Sequence, residues 1–166
     1  MISLTIKDTK NFMSQLLIKE TFDTLYISEA DISTAITFSI NGSINKDYYT
    51  NEEYEQLSLK KYSTWSTVKP ICFDIIKGKK VPSSMKIVFI LPENICESII
   101  SYYSLPFSLS DISALCINVR YINGNVTITT GSSLNIFTLD KAVDNALDDY
   151  IKKFLDNASI DFEEFN

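Results

Sequence analysis

Histidine is absent from the 166 residues of this chain. Imidazole is the commonest general base of enzymes, the usual partner of serine and cysteine nucleophiles and the commonest metal ligand. The sequence also lacks a Gly-x-Gly-x-x-Gly or a Gly-Lys-Ser/Thr pattern, which are the common phosphate-binding loops. We therefore predict no catalytic residue, no metal site and no cofactor.

Cysteine is scarce, and long apolar runs are missing. Cys72, Cys96 and Cys116 are an odd number of cysteines in apolar surroundings, which favours reduced thiols in a cytoplasmic protein over a disulfide framework. The longest apolar run, "IVFIL" at 87–91, is far shorter than the roughly 20 residues that span a bilayer. The first residues do not resemble a secretory signal. We expect a soluble, cytoplasmic protein without membrane contact.

Arginine occurs once, as Arg120, and the net charge of −6 argues against indiscriminate nucleic-acid binding. The charge is unevenly distributed. Residues 60–86 contain seven lysines and one acid, whereas residues 140–166 contain eight acids and three lysines. The chain therefore has a basic segment and an acidic tail.

The first half of the chain predicts one strand, one helix and three further strands. "SLTIK" (3–7) alternates as a strand does, and Asp8 is suited to cap a helix in which Phe12, Met13, Leu16 and Leu17 form an apolar stripe. Two strand-like runs at 24–33 and 34–40 follow. Asn41-Gly42 is a turn signal, and residues 43–50 are a weaker third run.

The second half predicts the same order of elements. Residues 85–91 are a strand, and Pro92 begins a helix whose apolar face contains Ile95, Cys96, Ile99, Ile100 and Tyr103. Strands at 113–121, 125–130 and 132–139 follow, with Asn123-Gly124 as a hairpin turn between the first two.

The predicted fold is therefore α+β, with two tandem β-α-β-β-β motifs related by a pseudo-two-fold axis. Residues 1–50 and 84–139 are the two motifs of a single domain that spans 1–166. Residues 51–83 are a helical connector, with Thr50 and Glu53 as a capping box and a second helix from about Ser63 to Gly78. Residues 140–166 are an amphipathic helix and a tail that we expect to be frayed or loosely docked.

Two resemblances can be stated. "KPICFDIIKGKK", "INVRYINGNVTITTG" and "SLNIFTLDKAVD" resemble a family of uncharacterised bacterial proteins, and this resemblance covers most of the chain but implies no function. The tandem β-α-β-β-β order resembles one domain of a DNA sliding clamp. Clamp helices face DNA and carry lysines and arginines, whereas the second helix here has Glu93 and Glu97 and no base. This departure from the clamp pattern argues against a protein that encircles DNA.

The basic segment provides the candidate binding residues. Lysines next to an exposed aromatic ring can hold phosphate and stack a base. The predicted ligand or nucleic-acid site contains Trp65, Lys69, Lys77, Lys79, Lys80 and Arg120. The favoured alternative is that Trp65 belongs to the core, that the lysines form a solvated rim facing the acidic tail and that Arg120 forms an ion pair on a strand face.

Three functions remain open. The first is a non-catalytic binding or protein-interaction module with a clamp-like fold, whose partner is another protein or a second copy of the chain. The second is binding of nucleic acid or of an anionic ligand through residues 60–86, with nucleic acid the less favoured partner. The third is an enzyme that works without histidine, with its site between the two halves.

Overall fold

The computed structural model describes residues 1–165, which form an α+β fold with one antiparallel sheet and a layer of helices. The strands of these residues are β1 (Ser3–Ile6), β2 (Tyr26–Ser33), β3 (Thr37–Asn41), β4 (Ser63–Thr64), β5 (Ser84–Ile90), β6 (Ile112–Ile122), β7 (Asn125–Leu134) and β8 (Phe162–Glu164). Their α-helices are α1 (Thr9–Leu17), α2 (Asn51–Gln56), α3 (Trp65–Ile76), α4 (Glu93–Tyr102) and α5 (Ala142–Asn157). None of these helices has the length and apolarity needed to cross a membrane.

One face of the sheet lies against the hydrophobic core, and the other face is open. In β5, Met85, Ile87 and Phe89 are buried, while Lys86 and Val88 between them are partly exposed. Successive residues of a strand point to opposite faces, so this pattern separates the two sides of the sheet. Four helices, α1, α3, α4 and α5, contribute to the core, whereas α2 has no buried residue.

The strand order is β3-β2-β5-β6-β7-β1-β8, and β4 pairs with the beginning of β2. The α+β class is confirmed, but the predicted duplication is not. The strands that flank α4, β5 and β6, are neighbours in the sheet, whereas three strands separate β1 from β2, which flank α1. The resemblance to a sliding-clamp domain depended on that repeat and is likewise not confirmed.

The last predicted strand of each half is wrong. Residues 43–50 form an isolated bridge at Ser43 and a 3₁₀ turn, because the Asn45 side chain accepts a hydrogen bond from the Asp47 N–H and so competes with strand pairing. Residues 132–139 are not a separate strand, since β7 continues through Gly131 to Leu134. Position 131 favours glycine, because a Cβ there would lie only 2.9 Å from the Cys116 Sγ.

Three local signals of the sequence are confirmed, namely two helix caps and one hairpin turn. The Asp8 side chain accepts a hydrogen bond of 2.9 Å from the Asn11 N–H and begins α1, and Thr50 and Glu53 form both bonds of a capping box. Asn123 and Gly124 have φ values of +49° and +85°, which is the conformation of a two-residue hairpin turn.

The two predicted apolar stripes also face the core. Phe12 and Leu16 of α1 are buried, and so are Cys96 and Ile99 of α4. The remaining stripe residues are partly buried and pack against the same core: Met13, Leu17, Ile95, Ile100 and Tyr103.

The prediction of a frayed tail is wrong. Residues 162–164 form β8, which pairs antiparallel with β1 and completes one edge of the sheet. Ile160 is buried, and the Asn11 side chain donates a hydrogen bond of 2.9 Å to the Ser159 carbonyl. Ile160 and Phe162 both pack on the core, which is the alternation typical of a strand and explains why the tail docks.

Candidate functional site

The lysines of the basic segment 60–86 lie at separate positions in the structure. Lys61 lies beside Tyr26 and Ile90, at one end of β5, whereas Lys80 lies beside Ser83, at the other end. A strand of this length separates the two places by roughly 20 Å. The seven lysines therefore do not form one continuous binding surface.

Two of the predicted site residues have structural partners. Trp65 is completely buried, and its indole has no exposed face on which a base could stack. Lys69, one helical turn further along α3, forms a 2.5 Å salt bridge with Asp23 and donates a 3.0 Å hydrogen bond to the Lys19 carbonyl. Trp65 thus contacts Leu16 in the last turn of α1, and Lys69 contacts the segment that follows α1.

Lys77, Lys79 and Lys80 are exposed near the end of α3 and in the loop that follows it. Lys77 forms a salt bridge of 2.8 Å with Asp74, and Lys80 lines a wide depression at the end of the sheet together with Val81. The paired acids of residues 140–166 have other partners, namely the N-terminal amine, Lys7, Lys141, Lys152 and Lys153. The binding role of the three loop lysines stays a prediction.

Arg120 lies on the open face of the sheet, as its alternation with the buried Val119 and Tyr121 predicts. The register places it directly between Lys86 of β5 and Thr127 of β7. On the same face and one row further along, Asn118 lies next to Thr129. Arg120 is the one predicted site residue that this face contains.

A concavity of about 480 Å³ opens above these two rows. The side chains around it carry hydrogen-bond donors, namely Lys86, Asn118, Arg120, Thr127 and Thr129, while the inward-pointing Val119 contributes through its backbone. We call these five side chains the donor face. Its composition suits an oxygen-rich anion better than an apolar ligand.

The two cations of the donor face differ in their surroundings. Lys86 forms a 2.5 Å salt bridge with Glu29 on the neighbouring strand. Within residues 1–165, Arg120 forms neither a salt bridge nor a side-chain hydrogen bond, so the predicted ion pair is not found there. Like charges that lie directly opposite each other on adjacent strands destabilise a sheet. An anion at this position would relieve that repulsion.

The thiols of the chain are poorly suited to nucleophilic chemistry. Burial raises the pKa of Cys72 to about 11, and burial followed by the negative charge of Glu93 raises the pKa of Cys96 to about 11. Cys116 lies two residues before Asn118 on the open face, and burial raises its pKa as well. Thiols with raised pKa values remain protonated at neutral pH, and the thiolate is the reactive form.

Comparison with known families identifies the group to which the chain is related. Residues 15–163 match a family of unknown function (DUF5721). The chain belongs to this family. The predicted resemblance to an uncharacterised family is thereby confirmed. No curated protein and no solved structure matches the chain.

Membership of this family of unknown function assigns no role to any residue, so the donor face rests on geometry alone. Sequence reasoning found Arg120 but missed Asn118, Thr127 and Thr129. Strand alternation in "INVRY" and "NVTIT" places these residues on one face of each strand. The register that aligns β6 with β5 and β7 is what brings them together, and alternation does not reveal it.

Proposed function

We propose that this protein is a non-catalytic binding module that holds an oxyanion-bearing ligand on the open face of its sheet, with Arg120 as the principal contact. The observation that carries the proposal is the guanidinium of Arg120, which is exposed, lies opposite Lys86 and has no anionic partner among residues 1–165. Arginine binds phosphate and carboxylate groups through two parallel N–H···O bonds.

The neighbours of Arg120 complete the set of donors. Thr127 lies directly opposite Arg120, and the Asn118 and Thr129 side chains lie one row away. Hydroxyl and amide groups supply additional hydrogen bonds to the oxygens of an anion. Together with Lys86, these side chains are on the three adjacent strands β5, β6 and β7, and strand-borne sites are held more rigidly than sites on loops.

The surrounding charges favour a small anion over a long polyanion. Glu29 and Asp31 of β2 lie beside Lys86, and the net charge of the chain is −6. A nucleic acid that crosses the sheet would approach these carboxylates, which repel its phosphates. The ligand class is therefore a compact group such as a phosphate ester or a carboxylate.

Inorganic phosphate is a suitable probe, with binding followed through amide chemical shifts or titration calorimetry. We expect saturable binding that is weakened about tenfold or more in Arg120→Gln, since a charge-assisted hydrogen bond contributes roughly 1.5–3 kcal/mol. Lys60→Gln is the matched control, because Lys60 is an exposed lysine outside the donor face. Equal affinities for Arg120→Gln and the wild type, or no saturable binding, would overturn the proposal.

A further inference from the structure

The two edges of the sheet differ in how they are protected. An exposed edge strand presents unpaired N–H and C=O groups, and proteins usually block such an edge with charged residues, with proline or with a very short strand. At one edge, β8 has three residues and contains Glu163 and Glu164. At the other edge, β3 has the five-residue sequence "TFSIN", without a charge or a proline. β3 therefore lacks the usual protection against pairing with a further strand.

The backbone groups of β3 point alternately towards β2 and away from it. At one end of the pairing, the Gly42 N–H donates to the Ser28 carbonyl, and at the other end the Thr34 N–H donates to the Ile36 carbonyl. The even-numbered residues of β3 therefore bond to β2, and the odd-numbered ones point outward. We call the outward row the free edge, and it consists of Thr37, Ser39 and Asn41. These residues are exposed, and within residues 1–165 their backbone groups have no hydrogen-bond partner.

A second β3 strand matches the free edge when it lies antiparallel, with Ser39 opposite Ser39. Thr37 of each copy then lies opposite Asn41 of the other, and every residue of the free edge exchanges both of its backbone hydrogen bonds. All the free N–H groups of the two strands meet free C=O groups, and none is left over. Such a contact has a two-fold axis through Ser39 and closes at two copies.

The same register matches side chains on the core side of the sheet. Phe38 and Ile40 lie opposite the buried Ile32 and Ala30 of β2, but both are only partly buried themselves. In the antiparallel pair, Phe38 of each copy lies directly opposite Ile40 of the other. Aromatic and β-branched side chains in this arrangement stabilise paired strands.

A depression of about 390 Å³ lies at the end of β3, beside Gly42. Its walls include Tyr48, Tyr49 and Val68, and in the described part of the chain no charged side chain lines it. Ile36, directly before β3, is 64 % exposed. The register that pairs Ser39 with Ser39 places Ile36 of the second copy opposite Gly42. An exposed aliphatic side chain is thereby brought to the depression, where it is covered.

The charges near the free edge do not oppose the pairing. A charge on the axis would face its own copy and be repelled, but β3 has none. Asp31 of β2 lies opposite Ser39. Three strand spacings, roughly 14 Å, separate it from Asp31 of the second copy, which exceeds the Debye length of about 8 Å at physiological ionic strength.

We propose that β3 of one copy pairs antiparallel with β3 of a second copy, so that one sheet continues across a homodimer. A second copy is the occupant because one register satisfies the free backbone groups, pairs Phe38 with Ile40 and brings Ile36 to the depression. An unrelated strand would match the backbone alone. The contact uses none of the donor-face residues, and its failure leaves the proposed function untouched.

Sedimentation velocity over a range of concentrations tests the association. We expect a concentration-dependent dimer for the wild type and association at least about tenfold weaker for Ser39→Pro, which removes the central N–H of the free edge. Proline is tolerated in an edge strand where its N–H would face solvent, and circular dichroism checks that the variant folds. Ser39→Ala is the matched control, because it keeps the N–H and should associate like the wild type.

Ile36→Asp tests the contact without altering the backbone of β3. Its side chain is exposed, so the chain should fold, but the charge would enter an uncharged depression and weaken the dimer. Phe137→Asp is the control, since it places the same charge on a 93 % exposed ring beyond the end of β7. A wild type that stays monomeric up to about 1 mM overturns the proposal. So does a folded Ser39→Pro or Ile36→Asp variant that associates as strongly as its control.

Cysteine cross-linking tests the register itself. The two Ser39 Cα atoms would lie about 5.5 Å apart, within the range that a disulfide spans. Ser39→Cys should therefore give a covalent dimer on a non-reducing gel after treatment with a mild oxidant. Thr37→Cys is the matched control on the same strand, because its two copies would lie roughly 14 Å apart and should not cross-link. Equal cross-linking of the two variants contradicts an axis through Ser39 and overturns the proposal.

Discussion

The indole Nε1 of Trp65 donates a buried 2.8 Å hydrogen bond to the backbone carbonyl of Leu16. Leu16 lies in the last turn of α1, where carbonyl groups have no partner within their own helix. The first residue of α3 thus supplies a hydrogen bond that α1 cannot make for itself. The most conspicuous residue of the predicted binding segment is part of the core.

We expect Trp65→Phe to destabilise the protein by about 2–4 kcal/mol, because it leaves the Leu16 carbonyl unpaired and creates a cavity. Urea unfolding followed by circular dichroism measures the change. Tyr102→Phe, which alters an exposed ring, should stay within about 0.5 kcal/mol of the wild type. The chain has a single tryptophan, so its fluorescence offers a second check. Emission typical of a solvated indole in the wild type contradicts the burial of Trp65.

Gly42 has a steric role rather than the predicted role in a turn. Its N–H donates to the Ser28 carbonyl and its carbonyl accepts from the Ser63 N–H, both at 2.8 Å. A Cβ at this position would lie 2.0 Å from the Ile27 carbonyl oxygen, which is too close for two atoms that are not bonded. The glycine therefore permits two backbone segments to pack against each other.

Gly42→Ala should destabilise the fold by about 1–3 kcal/mol or more, because the obstacle is backbone and cannot rotate away. Thermal unfolding would show a midpoint lowered by at least about 2–4 °C for each kcal/mol in a chain of this size. Gly124→Asn is the control, since its positive φ is tolerated by asparagine and a Cβ there meets nothing within 4 Å. Equal midpoints for Gly42→Ala and the wild type would disprove the steric role.

The sequence predicted several parts of the fold whose partners are nearby in the chain, although the turn at Asn41-Gly42 is an exception. The cap at Asp8 and the turn at Asn123-Gly124 involve residues a few positions apart, so short patterns specify them. The strand order depends on pairs such as Ser3 with Thr129, which lie more than a hundred residues apart. Short patterns are compatible with many such pairings, which is why a repeated order of elements suggested a symmetry that the sheet does not show.

The same distinction applies to the candidate site. Alternation predicted that Arg120 points outward, because the buried Val119 and Tyr121 are its direct neighbours. The presence of Lys86 opposite Arg120 follows from the register of β5 on β6, which the sequence pattern leaves undetermined. Lysines that are close in sequence, such as Lys69 and Lys77, have unrelated partners in the structure.

Docking of the C-terminal strand makes Ile160 a core residue. We expect Ile160→Ala to cost about 2–5 kcal/mol, as do other truncations of buried aliphatic side chains. Phe165→Ala, at an exposed position only five residues later, is the control and should change stability little. Hydrogen exchange gives a local readout, since the Phe165 N–H donates a 2.9 Å hydrogen bond to the Ser3 carbonyl. An unprotected Phe165 amide in the wild type argues that the strand is not docked.

Tyr26 should ionise at unusually high pH. Its hydroxyl donates a 3.0 Å hydrogen bond to Glu93 Oε2, and burial, this hydrogen bond and the charge of Glu93 together raise the pKa of Tyr26 to about 12. In the unfolded chain the pKa of a tyrosine is about 10. Between about pH 10 and pH 12, Tyr26 has lost its proton in the unfolded state but retains it in the native state. The stabilisation from Tyr26 is therefore complete below about pH 10 and is lost as the pH rises towards 12.

The phenolate absorbance of the wild type minus that of Tyr26→Phe isolates this titration from those of the other tyrosines. We expect the difference to appear only as the pH approaches 12. Glu93→Gln removes the negative charge but leaves the burial, so the pKa of Tyr26 in that variant should fall towards its ordinary value while remaining above it. A difference spectrum that develops at the ordinary tyrosine pKa would contradict the contact between Tyr26 and Glu93. An unchanged titration in Glu93→Gln would instead attribute the whole effect to burial.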